Sequence, residues 1–116
     1  MQALDLIQDY CLSKPGTEAC FPFGPEILVF KLMGKIFLIV SLEDDPIRMN
    51  VKCDPELVEE RRACYPSVLP GFHMNKKHWN TVIIDGTIPM NTLRAWIDES
   101  YELILASLPK KLRDSL

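Results

Sequence analysis

The sequence predicts an α+β fold of two layers, a mostly antiparallel five-stranded sheet packed with helices. Three observations carry this. Strand-like runs at 27–32, 35–42 and 47–53 follow one another with gaps of a few residues. Connections that short join antiparallel neighbours, because a parallel pair needs a long crossover. Helical periodicity at 2–13 and again at 89–108 brackets these runs. The length of 116 residues suits one core, so residues 1–116 are read as a single domain.

The first helix places Leu4, Ile7 and Cys11 on one face, and Lys14-Pro15-Gly16 ends it. Cys20-Phe21-Pro22-Phe23-Gly24-Pro25 reads as a rigid aromatic loop whose two phenylalanines are by default packed over the end of the sheet; exposed, they would point to a protein partner. Ile36 to Val40 is apolar on both faces, which marks a central strand. In the next strand Ile47, Met49, Val51 and Cys53 alternate with Arg48, Asn50 and Lys52, the pattern of one covered face and one at least partly wet. Asp54-Pro55-Glu56 is a helix-start signal, with Asp54 as cap, and that helix runs to about Cys64, with Arg61 and Arg62 outward. A short fourth strand is expected near 71–74 and a fifth at 80–85. In the long last helix Leu93, Trp96, Ile97, Tyr101, Ile104 and Leu108 form an apolar stripe. Pro109 interrupts it before a short terminal helix.

Composition narrows the function classes. Hydrophobic content of 47% with 25% charged residues is that of a folded globular protein. The net charge of −3 disfavours whole-surface attraction to DNA and leaves room for a local basic face. Cys11, Cys20, Cys53 and Cys64 are irregularly spaced and no segment resembles a signal peptide. A cytoplasmic protein with reduced thiols is expected, Cys20 being the only one of the four expected at the surface, and no membrane association. His73 and His78 are five apart and share no helix face, so no metal site is expected. Neither a nucleophile with its base nor a glycine-rich phosphate loop is legible, so no catalytic residue, no cofactor and no enzyme activity are expected.

Two groups are candidates for binding. Between His73 and Asn80, Lys76 and Lys77 suit phosphates, Asn75 and Asn80 suit base edges, and His78 or Trp79 suits stacking. The competing reading is packing for Trp79, a turn cap for Asn80 and ordinary solvation for the lysines. The second group is Lys31, Lys35, Arg48 and Lys52, a basic patch if the first three strands adjoin. Its competing reading is a normal wet sheet face, and Glu43, Asp44 and Asp45 at the adjoining turn repel nucleic acid.

Specific words carry a resemblance. They are Cys11-Leu12-Ser13-Lys14-Pro15-Gly16-Thr17-Glu18, Phe21-Pro22-Phe23-Gly24, Met33-Gly34-Lys35-Ile36-Phe37 and Asp85-Gly86-Thr87-Ile88-Pro89. The most specific is Lys76-Lys77-His78-Trp79-Asn80-Thr81-Val82. These resemble the MmcQ/YjbR family of small bacterial proteins nearly end to end. The resemblance implies an α-β3-α-β2-α order similar to type III secretion chaperones. It also implies a DNA-binding role, from a proposed double-wing arrangement, and brings no catalytic residues. Nucleic acid, DNA above all, is therefore the first expected partner. The alternative is a protein-interaction or chaperone-like module.

Overall fold

The computed structural model describes residues 3–71 and 74–116. Its elements run α1 (Ala3–Leu12), β1 (Thr17–Cys20), β2 (Ile27–Leu32), β3 (Lys35–Ser41), β4 (Arg48–Lys52), α2 (Val58–Cys64), β5 (Val68–Pro70), β6 (Trp79–Ile83), α3 (Met90–Ser107) and α4 (Lys110–Arg113). The fold is α+β, as the patterning predicts. The sheet has six strands rather than five, in the order β1-β2-β3-β4-β6-β5, with every neighbouring pair antiparallel.

The extra strand is β1. Thr-Glu-Ala-Cys carries no apolar alternation, and it becomes a strand by lying along the edge of β2, with Thr17 opposite Leu32 and Cys20 opposite Val29. The strand expected near 71–74 lies earlier, at Val68–Pro70, and Gly71 N–H extends its pairing to Trp79 O at 3.1 Å. Phe72 and His73 lie outside the described residues. The β2–β3 hairpin turns on Met33 and Gly34, with φ of 47° and 87°. Two positive φ values in succession make a turn whose twist matches that of the strands it joins.

α2 begins later than its signal. Asp54 Oδ1 accepts a hydrogen bond from Glu56 N–H at 2.9 Å, and Asp54 O accepts one from Leu57 N–H at 2.8 Å. Asp54 thus closes a turn, and the helix starts at Val58. Tyr65 leaves it in extended conformation, as expected ahead of Pro66.

All six residues of the apolar stripe, Leu93 to Leu108, are buried. They pack with Ile7 and Cys11 of α1 and with Leu28, Phe30, Leu38, Val40, Met49, Val51 and Val82 of the sheet. Those sheet residues share one face, so the helical layer lies on that near face. A bulge sits at its centre. Phe30 pairs with Leu38 and Lys31 with Ile36, which leaves Phe37 without a strand partner on β2. Phe37 and Leu38 both join the core, and the Phe37 ring meets Tyr101 edge-on at 5.6 Å.

Three consecutive residues of α3 tie the layers together. Ser100, fully buried, accepts a hydrogen bond from Lys52 N–H at 2.9 Å and donates one to Phe37 O. Glu99 receives both terminal nitrogens of Arg61 at 2.8 Å, while the guanidinium lies 5.2 Å from the Trp96 ring. Asp98 Oδ1 accepts from Tyr10 Oη at 2.7 Å and pairs with the Lys14 ammonium. Arg61, expected outward, is therefore drawn inward. Its Nη1 also lies 3.2 Å from the Cys53 thiol, whose pKa burial pushes up to about 12 despite the nearby cation.

Two outcomes follow. Ser100→Ala strips partners from a buried N–H and a buried carbonyl, and the expected cost is about 1–3 kcal/mol. A urea unfolding midpoint equal to that of the parent would refute the bridging role. At Asp98, desolvation opposes ionisation, but the hydrogen bonds from Lys14 and Tyr10 outweigh it and hold the carboxyl below its ordinary value. A carboxyl depressed in the folded state stabilises above its unfolded pKa, and that stabilisation fades as pH falls through the folded value. Asp98→Asn should thus lower stability at pH 7, with the deficit shrinking as the medium is acidified below about pH 4. A deficit constant with pH would contradict this.

Candidate nucleic-acid interface

Strand pleating puts alternate residues on opposite faces. With Phe30, Val51 and Val82 turned to the helices, the far face carries three cross-strand rows. The central row is Cys20, Val29, Ile39, Asn50, Thr81 and Leu69. One flank holds the row Glu18, Lys31 and Ile36 on β1 to β3 and, across the β3 bulge, the pair Lys52 and Trp79 on β4 and β6. The other holds Ile27, Ser41, Arg48 and Ile83.

The far face is partly wet, as the alternation implies, but the middle of its central row, from Val29 to Thr81, is buried. Asn50 is 8% exposed, and its Oδ1 accepts from Thr81 Oγ1 at 2.6 Å. Val29 and Ile39 beside it are buried too. Asn50 is thus a cross-strand tie inside the sheet.

The flank of Lys31 and Lys52 differs. Both lysines are half-buried, as is Trp79, which pairs directly with Lys52. Two strand spacings separate Lys31 from Lys52, about 10 Å. The 75–78 turn enters β6 at the same end. Asn75 Oδ1 accepts from Lys77 N–H at 2.9 Å, and Asn75 O accepts from both His78 and Trp79 N–H. Lys76 and Lys77 are exposed at its tip. Among the described residues, ion pairs involve Lys14 and Arg61, so the ammonium groups of Lys31, Lys52, Lys76 and Lys77 are not held by a carboxylate.

The remaining candidates separate from this group. Asn80 is 2% exposed; its Oδ1 accepts from Arg62 Nε at 2.7 Å and its Nδ2 donates to Val58 O at 3.4 Å. It is a wall residue on the near face and has no free edge for a base. Arg62, read from sequence as outward, also donates to Lys76 O and Trp79 O and so holds the turn in place. His78 is half-buried, and its carbonyl accepts from Cys53 N–H at 2.7 Å. Lys35 follows the hairpin turn onto the near face, where its Nζ reaches Ser107 Oγ at 3.4 Å. Arg48 is on the far face but at its opposite end, beside the 43–45 acidic turn. Four residues of strand separate it from Lys52, about 13 Å. His73 lies outside the described residues.

Two further features were not legible in the sequence. Cys64, not Cys20, is the exposed cysteine, and Cys20 is half-buried in the central row. A cleft of about 510 Å³ opens on the helical side, lined by Lys14, Pro15, Tyr101, Leu105, Arg113 and Leu116. Its polar groups are partly committed: Lys14 to Asp98, and the Tyr101 hydroxyl to Pro15 O at 2.7 Å.

Comparison with known proteins agrees with the motif resemblance. Residues 12–103 match the YjbR family model. The chain is 44% identical over 101 residues to YbdF of Escherichia coli O157:H7, which is described as uncharacterised, covering 86% of this chain and 82% of that protein. It is 32% identical over 116 residues to YjbR of Escherichia coli K12, covering 100% of this chain and 98% of the relative. Among solved structures, protein DR2400 of Deinococcus radiodurans, of the DUF419 domain family, shares 37% identity. It superposes with a TM-score of 0.89 over 99% of this chain and 88% of its own. A Pseudomonas syringae protein at 27% identity superposes with a TM-score of 0.76 over 89% of this chain and 98% of its own. Family model, end-to-end relatives and fold all coincide, and the chain belongs to the YjbR family.

Proposed function

We propose that this YjbR-family protein binds nucleic acid, in a non-enzymatic role, at the lysine end of its far face. One observation carries the reading: Lys31, Lys52, Lys76 and Lys77 lie toward one end of the sheet, with no carboxylate partner among the described residues, near a half-buried indole. Cations that track a phosphate backbone beside an aromatic ring are the elements of single-strand recognition on a sheet. Glu18, opposite Lys31, weakens the local field without cancelling it. The contact set is therefore Lys31, Lys52, Lys76, Lys77 and Trp79, with His78 at its margin. Lys35, Arg48 and Asn80 stand outside it. Four unpaired cysteines suit a reducing cytoplasm as the place of action.

The test is titration with labelled oligo(dT) and with a DNA duplex at low and rising salt. Affinity for the single strand should fall steeply with salt. Lys76→Ala with Lys77→Ala should weaken binding and flatten the log–log salt slope by about 1 to 1.5, since each phosphate contact on a single strand contributes about 0.7. Trp96 is 7% exposed, so quenching of indole emission on binding should come from Trp79 and be lost in Trp79→Phe. No binding to either form at low salt would end the proposal. Quenching that survives Trp79→Phe would remove the stacking role alone.

A further inference from the structure

The opposite end of the sheet has the reverse character. β1 ends at Cys20, and two tight turns follow, with Gly24 N–H donating to Phe21 O and Ile27 N–H to Gly24 O. Pro22 and Pro25 restrict this loop further. On it Phe21 is 51% and Phe23 62% exposed, the two highest values among the large hydrophobic residues described. A loop this constrained presents both rings at little ordering cost to a partner.

Carboxylates share this end of the sheet. Leu42 N–H donates to Glu26 O at 2.7 Å and Ile27 pairs with Ser41, which sets the aromatic loop beside the β3–β4 turn. Glu26, Glu43 and Asp45 are exposed there and Asp44 is half-buried, with Arg48 on β4 as a neighbouring cation. An exposed aromatic pair beside an acidic turn selects its occupant by charge. DNA and anionic lipid surfaces are repelled. A second copy docking through the same patch would set like charges against each other.

We propose that the Phe21–Phe23 loop and the 43–45 turn form a docking surface for a basic segment of a partner protein, one whose apolar side chains lie between lysines or arginines. The two rings take the apolar side chains, and Glu26, Glu43 and Asp45 face the cations. This surface is separate from the lysine end and does not depend on nucleic-acid binding.

The probe is a synthetic peptide alternating leucine with lysine, compared with its glutamate-for-lysine counterpart, with binding followed by 15N-resolved NMR titration. The lysine peptide should shift the amide signals of residues 20–26 and 42–46. Phe21→Ser with Phe23→Ser should weaken it by about ten-fold or more, as loss of central aromatic anchors does. Glu43→Lys with Asp45→Lys should weaken it comparably. All four substitutions fall on exposed positions, and an unchanged urea midpoint checks that the fold is intact. Lys76→Ala with Lys77→Ala should leave the peptide affinity unaltered. Binding that is indifferent to the phenylalanine substitutions, or equal for the glutamate peptide, would overturn the proposal. So would self-association by sedimentation that the phenylalanine substitutions abolish, since it would assign the patch to a second copy.

Discussion

The hydroxyl of Ser100 is the point on which the architecture turns. At the β3 bulge the regular ladder fails, and Phe37 is left without its strand partner. On the other side of β3 the ladder to β4 ends at Leu38 and Val51, and Ser100 carries the connection one residue further, joining Phe37 O on β3 to Lys52 N–H on β4. A helix side chain that completes a sheet's hydrogen bonding fixes the height and rotation of that helix. The neighbouring residues then act in fixed directions: Asp98 toward α1 through Tyr10 and Lys14, Glu99 toward α2 through Arg61. Three successive positions thus hold three different elements, and the stripe from Leu93 to Leu108 closes the core beneath them.

Placing the helical layer on one face has a functional consequence. The far face is closed at its middle by Val29, Ile39 and the Asn50–Thr81 tie, while its ends differ in charge. Lysines gather where β6 begins, and carboxylates gather at the β3–β4 turn. The net charge of −3 averages over this polarity and conceals it. A small domain with ends of opposite sign can engage an anion at one and a basic segment at the other, because screening over about 8–10 Å makes the two ends electrostatically independent.

Much of the fold was legible because it rests on local patterns. The α3 stripe, the burial of Ile7 and Cys11, and the strands β2 to β4 follow from spacing alone, and the structure places each as expected. β1 was not legible, because Thr17–Cys20 has no strand pattern and is extended only by its neighbour. The site was less legible than the fold. Lys31 and Lys52 do share a face, but the Met33-Gly34 turn and the bulge after it send Lys35 to the other side. Asn80 reads as a polar turn residue until Arg62, eighteen positions earlier, is found bound to it.

By itself the sequence determined the fold class, the stripes that bury, and the membership that its motif words announce. These depend on periodicity and residue identity within a few turns of chain. Only the tertiary structure decided which polar groups are spent inside and which are free. The side chains of Asn50, Asn80, Arg61 and Arg62 go to partners far along the chain, whereas among the described residues the ammonium groups of Lys31, Lys52, Lys76 and Lys77 meet no carboxylate. That division depends on where distant segments meet, and a buried polar group must be matched at that meeting or the fold is lost.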